Sequence, residues 1–362
     1  MSLAMLSLAV VAPGGRLDQV EAAAMASAIV PLEGDAQRQR KAAYARAGIQ
    51  NRGVAIMSPG DSSNLDVLAR QTLFAPGGDG PTTGDRMARY REIAPAMAVE
   101  AARRCLDSSG VARERVTHLI TVSCTGFAAP GPDTAIIQTL GLSRDTARTH
   151  VGFMGCHAVI NALRLAIALG SDPSAVILLV AFETCSLHFH YSQEPQKVIA
   201  NALFADGSAA VLLGQAQAGQ ERPRPIATAS TLIPDTQEAM SWHIGQHGFE
   251  MTLSLEVPGL IEANLRAWLL PWLAARGLAI GDVAGWAVHP GGPRILDAVQ
   301  RALGLSPQAL GASREVLAEN GNMSSPTVLF ILDRLVRSGV RGRVVMLAFG
   351  PGLAAEAALF EC

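Results

Sequence analysis

Two kinds of apolar pattern run through this chain. Short, nearly continuous apolar runs rich in β-branched residues fall at 6–11, 116–122, 175–180, 209–213 and 344–348, as expected of strands buried on both faces. Between them lie longer segments with helical spacing. Residues 151–169 read as a glycine-containing turn that feeds an almost wholly apolar helix. Buried strands separated by helices predict an α/β fold.

The pattern also repeats. Residues 117–142 read as a strand, a Cys124-Thr125-Gly126 turn, a proline-rich step and a helix ending Leu140-Gly141-Leu142. Residues 283–305 read as a strand, a His289-Pro290-Gly291-Gly292 turn and a helix ending Leu303-Gly304-Leu305. Cys124 and Cys156 are 32 positions apart, and His289 and Asn322 are 33 apart. Cys156 precedes Phe182 by 26 positions, and Asn322 precedes Phe349 by 27. Self-similarity on this scale predicts two halves built on one plan, 1–220 and 221–362, joined through the polar stretch 215–224. A pseudo-twofold relation between them would bring Cys156, His289 and Asn322 to one central locus.

The chemistry sits at the points where the repeat changes residue type. Cys156 opens the apolar helix, where the helix dipole and free N–H groups favour a thiolate. A thiolate attacks acyl carbonyls and carries the acyl group as a thioester. Taken singly, Cys156 is a small buried hydrophobe, His289 a strand-end histidine and Asn322 a helix cap; it is their joint placement that points to catalysis. His157, beside the cysteine, is read as packing.

Composition narrows the classes further. The chain has 362 residues, 49% hydrophobic, a net charge of −2 and only 5% aromatics, which leaves no polycationic or stacking surface for nucleic acid. Five cysteines with no paired spacing suit a reducing cytoplasm and neither a disulfide framework nor a metal site. No run is long enough to span a membrane. Residues 1–13 imitate a signal peptide but lack a preceding basic residue, so 6–11 is read as a first strand.

At these residues the chain resembles a type III polyketide synthase, the chalcone synthase-like branch of the thiolase-fold condensing enzymes. The likeness is carried by Cys156 at its helix start, by 288–297 (Val-His-Pro-Gly-Gly-Pro-Arg-Ile-Leu-Asp), by 321–325 (Gly-Asn-Met-Ser-Ser) and by 349–352 (Phe-Gly-Pro-Gly). Residues 202–207 and 257–260 add to it. The resemblance implies a pseudo-duplicated, five-layered αβαβα thiolase-like fold with two mixed sheets around buried helices. It makes Cys156 the acyl-accepting nucleophile, His289 its base and later a hydrogen-bond donor to the thioester carbonyl, and Asn322 the partner donor. The implied reaction is iterative decarboxylative condensation of malonyl-CoA onto an acyl starter, followed by cyclisation to a pyrone, resorcinol or phloroglucinol. Coenzyme A thioesters are the substrates, and no other cofactor is implied.

The same resemblance marks Phe204 as a gate and puts Met251 where plant enzymes have a second gating phenylalanine. Cys124, Thr125, His188, Trp242 and Ser324 are the remaining candidate pocket residues. Met251 and the bacterial-looking segment 185–190 favour a long-chain acyl starter. Arg46, Lys41, Arg294 and Gly291 are candidates for the coenzyme A entrance, within a basic stretch that also holds Arg38 and Arg40. A homodimer is implied, and the basic entrance would suit an acyl carrier protein as well. The alternatives are a single-round ketoacyl synthase III-like enzyme and, more remotely, a papain-like cysteine hydrolase, which also runs Cys, His, Asn. The hydrolase signature around the cysteine is missing, and the duplication has no place in that fold.

Overall fold

A computed structural model describes residues 3–58, 67–216 and 221–362. The first half runs β1 (Leu3–Val11), β2 (Arg16–Asp18), α1 (Gln19–Ile29), α2 (Gly34–Arg46), β3 (Asn51–Gly53), α3 (Thr83–Ser109), β4 (His118–Ser123), α4 (Pro132–Leu140), β5 (Ala147–Gly152), α5 (Ala158–Leu169), β6 (Ile177–Thr184), α6 (Pro195–Leu203) and β7 (Asp206–Gln215). The second runs β8 (Arg224–Leu232), β9 (Met240–Gly245), β10 (Gly248–Leu253), α7 (Val257–Ala274), β11 (Val283–Val288), α8 (Pro293–Leu303), α9 (Gly311–Asn320), α10 (Thr327–Arg337), β12 (Arg343–Gly350) and β13 (Ala354–Glu361). The signal-peptide-like start is thus a sheet strand, β1. Within the polar junction 215–224, residues 217–220 lie outside the described residues.

One sheet has the order β1-β7-β6-β4-β5 and the other β11-β12-β13-β8. In the first, β4 and β6 are parallel, while β6 with β7 and β7 with β1 are antiparallel. In the second, β11 and β12 are parallel, while β12 with β13 and β13 with β8 are antiparallel. The strand sequence β4-β6-β7-β1 therefore maps onto β11-β12-β13-β8, with β5 the addition in the first half. The echoing helices α4 and α8 have the same ends for the same reasons. Each has proline in its first turn, where the missing N–H costs nothing, and a left-handed glycine just past the last turn, Gly141 (φ 67) and Gly304 (φ 66).

Three apolar cores stack the layers. The middle one fills the space between the sheets with α5 and α10, through residues such as Ile160, Leu163, Leu329 and Ile331. α5 is apolar over most of its surface and α10 buries its first six residues, Thr327 to Leu332, because these parts face the sheets. On the outer face of the first sheet α3 and α1 close a second core, and on the outer face of the second sheet α7 and α8 close the third. The order helix, sheet, helix, sheet, helix is the five-layered architecture expected from the resemblance. Its consequence for chemistry is that α5 and α10 both begin at the same buried seam.

Candidate active site

The nucleophile turn is built from backbone strain and glycine. After β5 the chain reverses through Phe153 (φ 64) and Gly155 (φ 75), and one turn of 3-10 helix, Gly155–His157, leads into α5. A Cβ at Gly155 would sit 2.7 Å from Pro351, so only glycine allows both this conformation and this contact. Cys156 is left at the mouth of α5, half-buried in a cavity wall.

That cavity gathers most of the sequence-predicted pocket residues. It has about 110 Å³ of free space, and Cys124, Thr125, Cys156, His188, Phe204, Trp242, Met251 and Ser324 all line it. A second cavity of about 520 Å³ is lined by Arg46, Gly291 and Arg294, with Met240 in the wall of both. Lys41 is exposed and lines neither, so the structure does not bring it to the entrance. Arg40 turns inward, donating to the carbonyls of Ala26 and Val30, and Arg38 pairs with Asp35.

His289 and Asn322 are buried and line neither cavity themselves, but each is bonded to a lining residue, His289 to Gly291 and Asn322 to Leu203. The His289 N–H donates to the Leu347 carbonyl at 2.8 Å, which fixes the residue at the end of β11. Its ring is 2% exposed, and neither ring nitrogen has a hydrogen-bond partner. Burial, and then the field of His157, push the imidazole down to about 3. Asn322 exchanges backbone hydrogen bonds with Leu203 and Ala205, on either side of Phe204. Its Oδ1 accepts from the Ser324 N–H at 2.9 Å, which directs the amide's two hydrogens away from that turn.

The surroundings of Cys156 pull against the thiolate that a helix start favours. Burial pushes the thiol up to about 12, against a hydrogen bond with Ser324 that favours the thiolate and a buried carboxyl, Glu183, that opposes it. This desolvation opposes the start of α5, which favours the thiolate. Burial thus works against the charged form at both residues, raising the Cys156 thiol and lowering the His289 imidazole. The Ser324 hydroxyl also lies 3.5 Å from the Cys124 sulfur.

Three features escaped the sequence reading. Glu183, wholly buried at the end of β6, accepts from the Cys124 N–H (3.0 Å), the Cys124 thiol (3.3 Å), the Thr125 hydroxyl (2.8 Å), Ser123 and Ser325. Burial raises its carboxyl pKa. The available signal was a charged residue directly after a fully apolar strand. Phe249 is the second, stacked between His188 (4.2 Å) and Trp242 (5.1 Å). His188 accepts from the Phe249 N–H at 3.0 Å and pairs with the Thr125 carbonyl at 2.7 Å. Both its nitrogens are used, burial pushes it down to about 3, and it offers the cavity only a ring face.

The third is His157, whose reading as packing is incomplete. Its Nδ1 donates to Asn161 Oδ1 at 2.7 Å, and the Asn161 amide donates to Glu356 at 3.0 Å. Glu356, 3% exposed, also takes Ser230 at 2.6 Å and pairs with Arg164. This chain of polar contacts ties the nucleophile turn to β13 and β8 in the other half.

A cysteine at a helix mouth, a buried unpartnered histidine and an amide, at the seam of a duplicated five-layered fold, define a thiolase-fold condensing enzyme. The comparisons with known proteins specify the family. Residues 76–217 match the N-terminal domain and residues 226–362 the C-terminal domain of the chalcone and stilbene synthases. The chain is 33% identical over 336 residues to the "alpha-pyrone synthesis polyketide synthase-like Pks18" of Mycobacterium tuberculosis, covering 90% of this chain and 83% of the relative. It is 35% identical over 300 residues to the bisdemethoxycurcumin synthase of Oryza sativa subsp. japonica, covering 78% and 75%. The crystal structure of PKS-I from the brown alga Ectocarpus siliculosus superposes with a TM-score of 0.91 at 30% identity, covering 99% of this chain and 98% of that one. The C-terminal type III polyketide synthase domain of Steely1 from Dictyostelium gives 0.89 at 25% identity, covering 100% and 99%.

The chain belongs to the chalcone and stilbene synthase family, the type III polyketide synthases. It is an acyltransferase of the iterative condensing type, working on coenzyme A thioesters. Among the described residues no helix is long and apolar enough to cross a membrane.

Proposed function

We propose that Cys156 carries the growing chain, that His289 and Asn322 hold the malonyl thioester, and that the product is a pyrone- or resorcinol-type ring on a long-chain acyl starter. The observation that carries this reading is His289. A wholly buried ring with two unpartnered nitrogens is costly to the fold, and a substrate carbonyl or the Cys156 proton supplies the missing partner. In loading, the sulfur attacks the starter thioester, its proton passes to His289, and coenzyme A leaves. Malonyl-CoA then binds with its thioester oxygen toward His289 and Asn322. Loss of carbon dioxide puts negative charge on that oxygen, where two donors stabilise the enolate. The enolate carbon attacks the Cys156 thioester, breaking its C–S bond, and the lengthened chain, now a coenzyme A thioester, reloads onto the freed sulfur with release of that coenzyme A for the next round.

The apolar lining of the reaction cavity, which includes Leu17, Ala22, Met25, Val54 and Ile56, supports an aliphatic acyl starter, and Met251 opposite Trp242 on the β9-β10 hairpin adds an adaptable side chain to that lining. Arg46 and Arg294 bind the phosphates of the carrier in the second cavity, with Gly291 lining its wall. An acidic acyl carrier protein would meet the same two cations. The unpaired thiols Cys105, Cys124, Cys156, Cys185 and Cys362 fit a cytoplasmic enzyme, and the matched strand orders support halves at 1–220 and 221–362.

A second copy of the chain covers the β5 edge. This strand is exposed along most of its length, and Phe127 and Phe153, 50% and 52% exposed, stand beside it with Met154. An exposed edge with adjacent aromatics is a pairing surface. Sedimentation of Phe153→Asp should give monomer where the wild type gives dimer, and a monomeric wild type would sink the dimer.

Product profiling by mass spectrometry with malonyl-CoA and short, aromatic and long acyl-CoA starters tests the whole reading. Long-chain products with two or three malonyl-derived units are expected. Efficient use of aromatic starters alone would overturn the starter class, and full product formation by Cys156→Ala would overturn the assignment of the nucleophile.

A further inference from the structure

One side chain outside the catalytic group holds the shape of the reaction cavity. Arg86, in the first turn of α3, is wholly buried. Its hydrogen bonds among the described residues all go to backbone carbonyls. Nε donates to Pro81 at 3.0 Å, and Nη1 donates to both Leu187 and Phe189, the latter at 3.0 Å. Nη2 has no partner. The guanidinium lies 5.5 Å from the Phe74 ring centre. On another side the β9-β10 turn closes on it, since a Cβ at Gly248 (φ 114) would stand 3.1 to 3.2 Å from Arg86 atoms.

The two carbonyls taken by Nη1 flank His188. That residue's ring is in the cavity wall, tied by its nitrogens to Thr125 and Phe249 and stacked on Phe249, which stacks in turn on Trp242. Burying a guanidinium without a counter-ion sacrifices its hydration, and an apolar side chain would fill the same space without that loss. What arginine adds is a planar fork with fixed donor directions. Here one arm of the fork, Nη1, holds the backbone on both sides of one wall residue while Nε anchors the group to Pro81.

We propose that Arg86 is a specificity-determining positioning residue: by clamping the carbonyls on either side of His188 it fixes the His188-Phe249-Trp242 wall, and so sets how many malonyl units the chain gains before it cyclises. This rests on the cavity being the chamber in which the polyketide grows. Arg86 touches no substrate. A looser wall enlarges the chamber and allows a longer chain to fold before ring closure.

Arg86→Lys, Arg86→Gln and Phe74→Leu, the last keeping every hydrogen bond of the guanidinium, are compared with wild type on one long-chain acyl-CoA and malonyl-CoA. The readout is the ratio of products by number of malonyl units, taken well below each variant's Tm. Trp242→Ala is run beside them as a direct change to the wall. The expected result is a shift toward longer products of about threefold or more in the arginine variants, smaller in Phe74→Leu, with Trp242→Ala shifting the ratio too. Lower Tm with an unchanged ratio in the variants that fold, while Trp242→Ala shifts it, would reduce Arg86 to a stability role. An unchanged ratio in Trp242→Ala as well would overturn the chamber itself, and the proposal with it.

Discussion

The two halves place polar groups at equivalent points and treat them in opposite ways. In the first half the parallel strands β4 and β6 end in Cys124 and Glu183, and Glu183 accepts five hydrogen bonds. In the second half β11 ends in His289, the counterpart of Cys124, and its ring accepts and donates none. Cys156 before α5 corresponds to Asn322 before α10. At these equivalent strand ends the first half closes Cys124 and Glu183 on each other, and the second leaves the His289 ring open. An imidazole buried at a strand end with both nitrogens open has room for a ligand to complete it, whereas its counterpart in the first half is already bonded to Glu183.

The sharpest way to break this division is to remove the open groups. Cys156→Ala and His289→Gln should each lower product formation by about 10³-fold or more, with intact-protein mass spectrometry showing no acyl adduct on Cys156→Ala. Asn322→Ala should keep acyl loading on Cys156 and lose malonyl decarboxylation. Loss of loading in that variant would place Asn322 on the wrong substrate.

Next in size is the pH dependence of stability. His289 is held at about 3 against an ordinary value near 6.5, so below pH 6.5 the unfolded chain takes a proton that the folded chain refuses. Its neutral form favours the fold above pH 6.5, and that stability is lost as pH falls toward 3, by about 3 kcal/mol at pH 4. His188 contributes in the same direction. The unfolding free energy of His289→Gln, followed by denaturant melts from pH 7 to pH 4, should fall less steeply than that of wild type. Equal slopes would mean that the folded imidazole titrates freely.

The closed half gives a smaller effect. Glu183→Gln turns an amide N–H₂ toward groups that themselves donate, and the Cys124 N–H cannot reorient, so a loss of about 1 to 3 kcal/mol is expected in denaturant melts. Gly350, the β12 counterpart of Glu183, is glycine because a Cβ would stand 2.3 Å from the His157 ring. Gly350→Ala should cost about 1 to 3 kcal/mol and lower kcat by displacing the His157-Asn161-Glu356 tether. Smallest are Arg46→Ala and Arg294→Ala, which should raise the KM for malonyl-CoA several-fold at unchanged kcat, and less so at high salt.

Much of this could be read from residue order. The buried strands stand out because a strand covered on both faces has no polar alternation, and the paired Leu-Gly-Leu helix ends survive because a left-handed residue after a helix demands glycine. Cys156, His289 and Asn322 were legible as a set only through the matching spacings of the two halves. The basic stretch 38–46 was misread in part. A helix shows four cations on the page, but which of them face a cavity depends on what packs against it, and Arg40 turned out to cap two carbonyls of α1 and the residue after it.

The sequence by itself determined the alternation of strands and helices, the duplication, and the residue types at the seam, because these follow from local periodicity and turn chemistry. Only the tertiary structure decided their charge and partnership. Burial pushes the Cys156 thiol up despite its helix mouth, the meeting of two halves joined His157 to Glu356 through Asn161, and two separate segments stacked His188, Phe249 and Trp242 into one wall under Arg86. Desolvation and long-range contact depend on neighbours hundreds of positions away along the chain, and no local pattern encodes them.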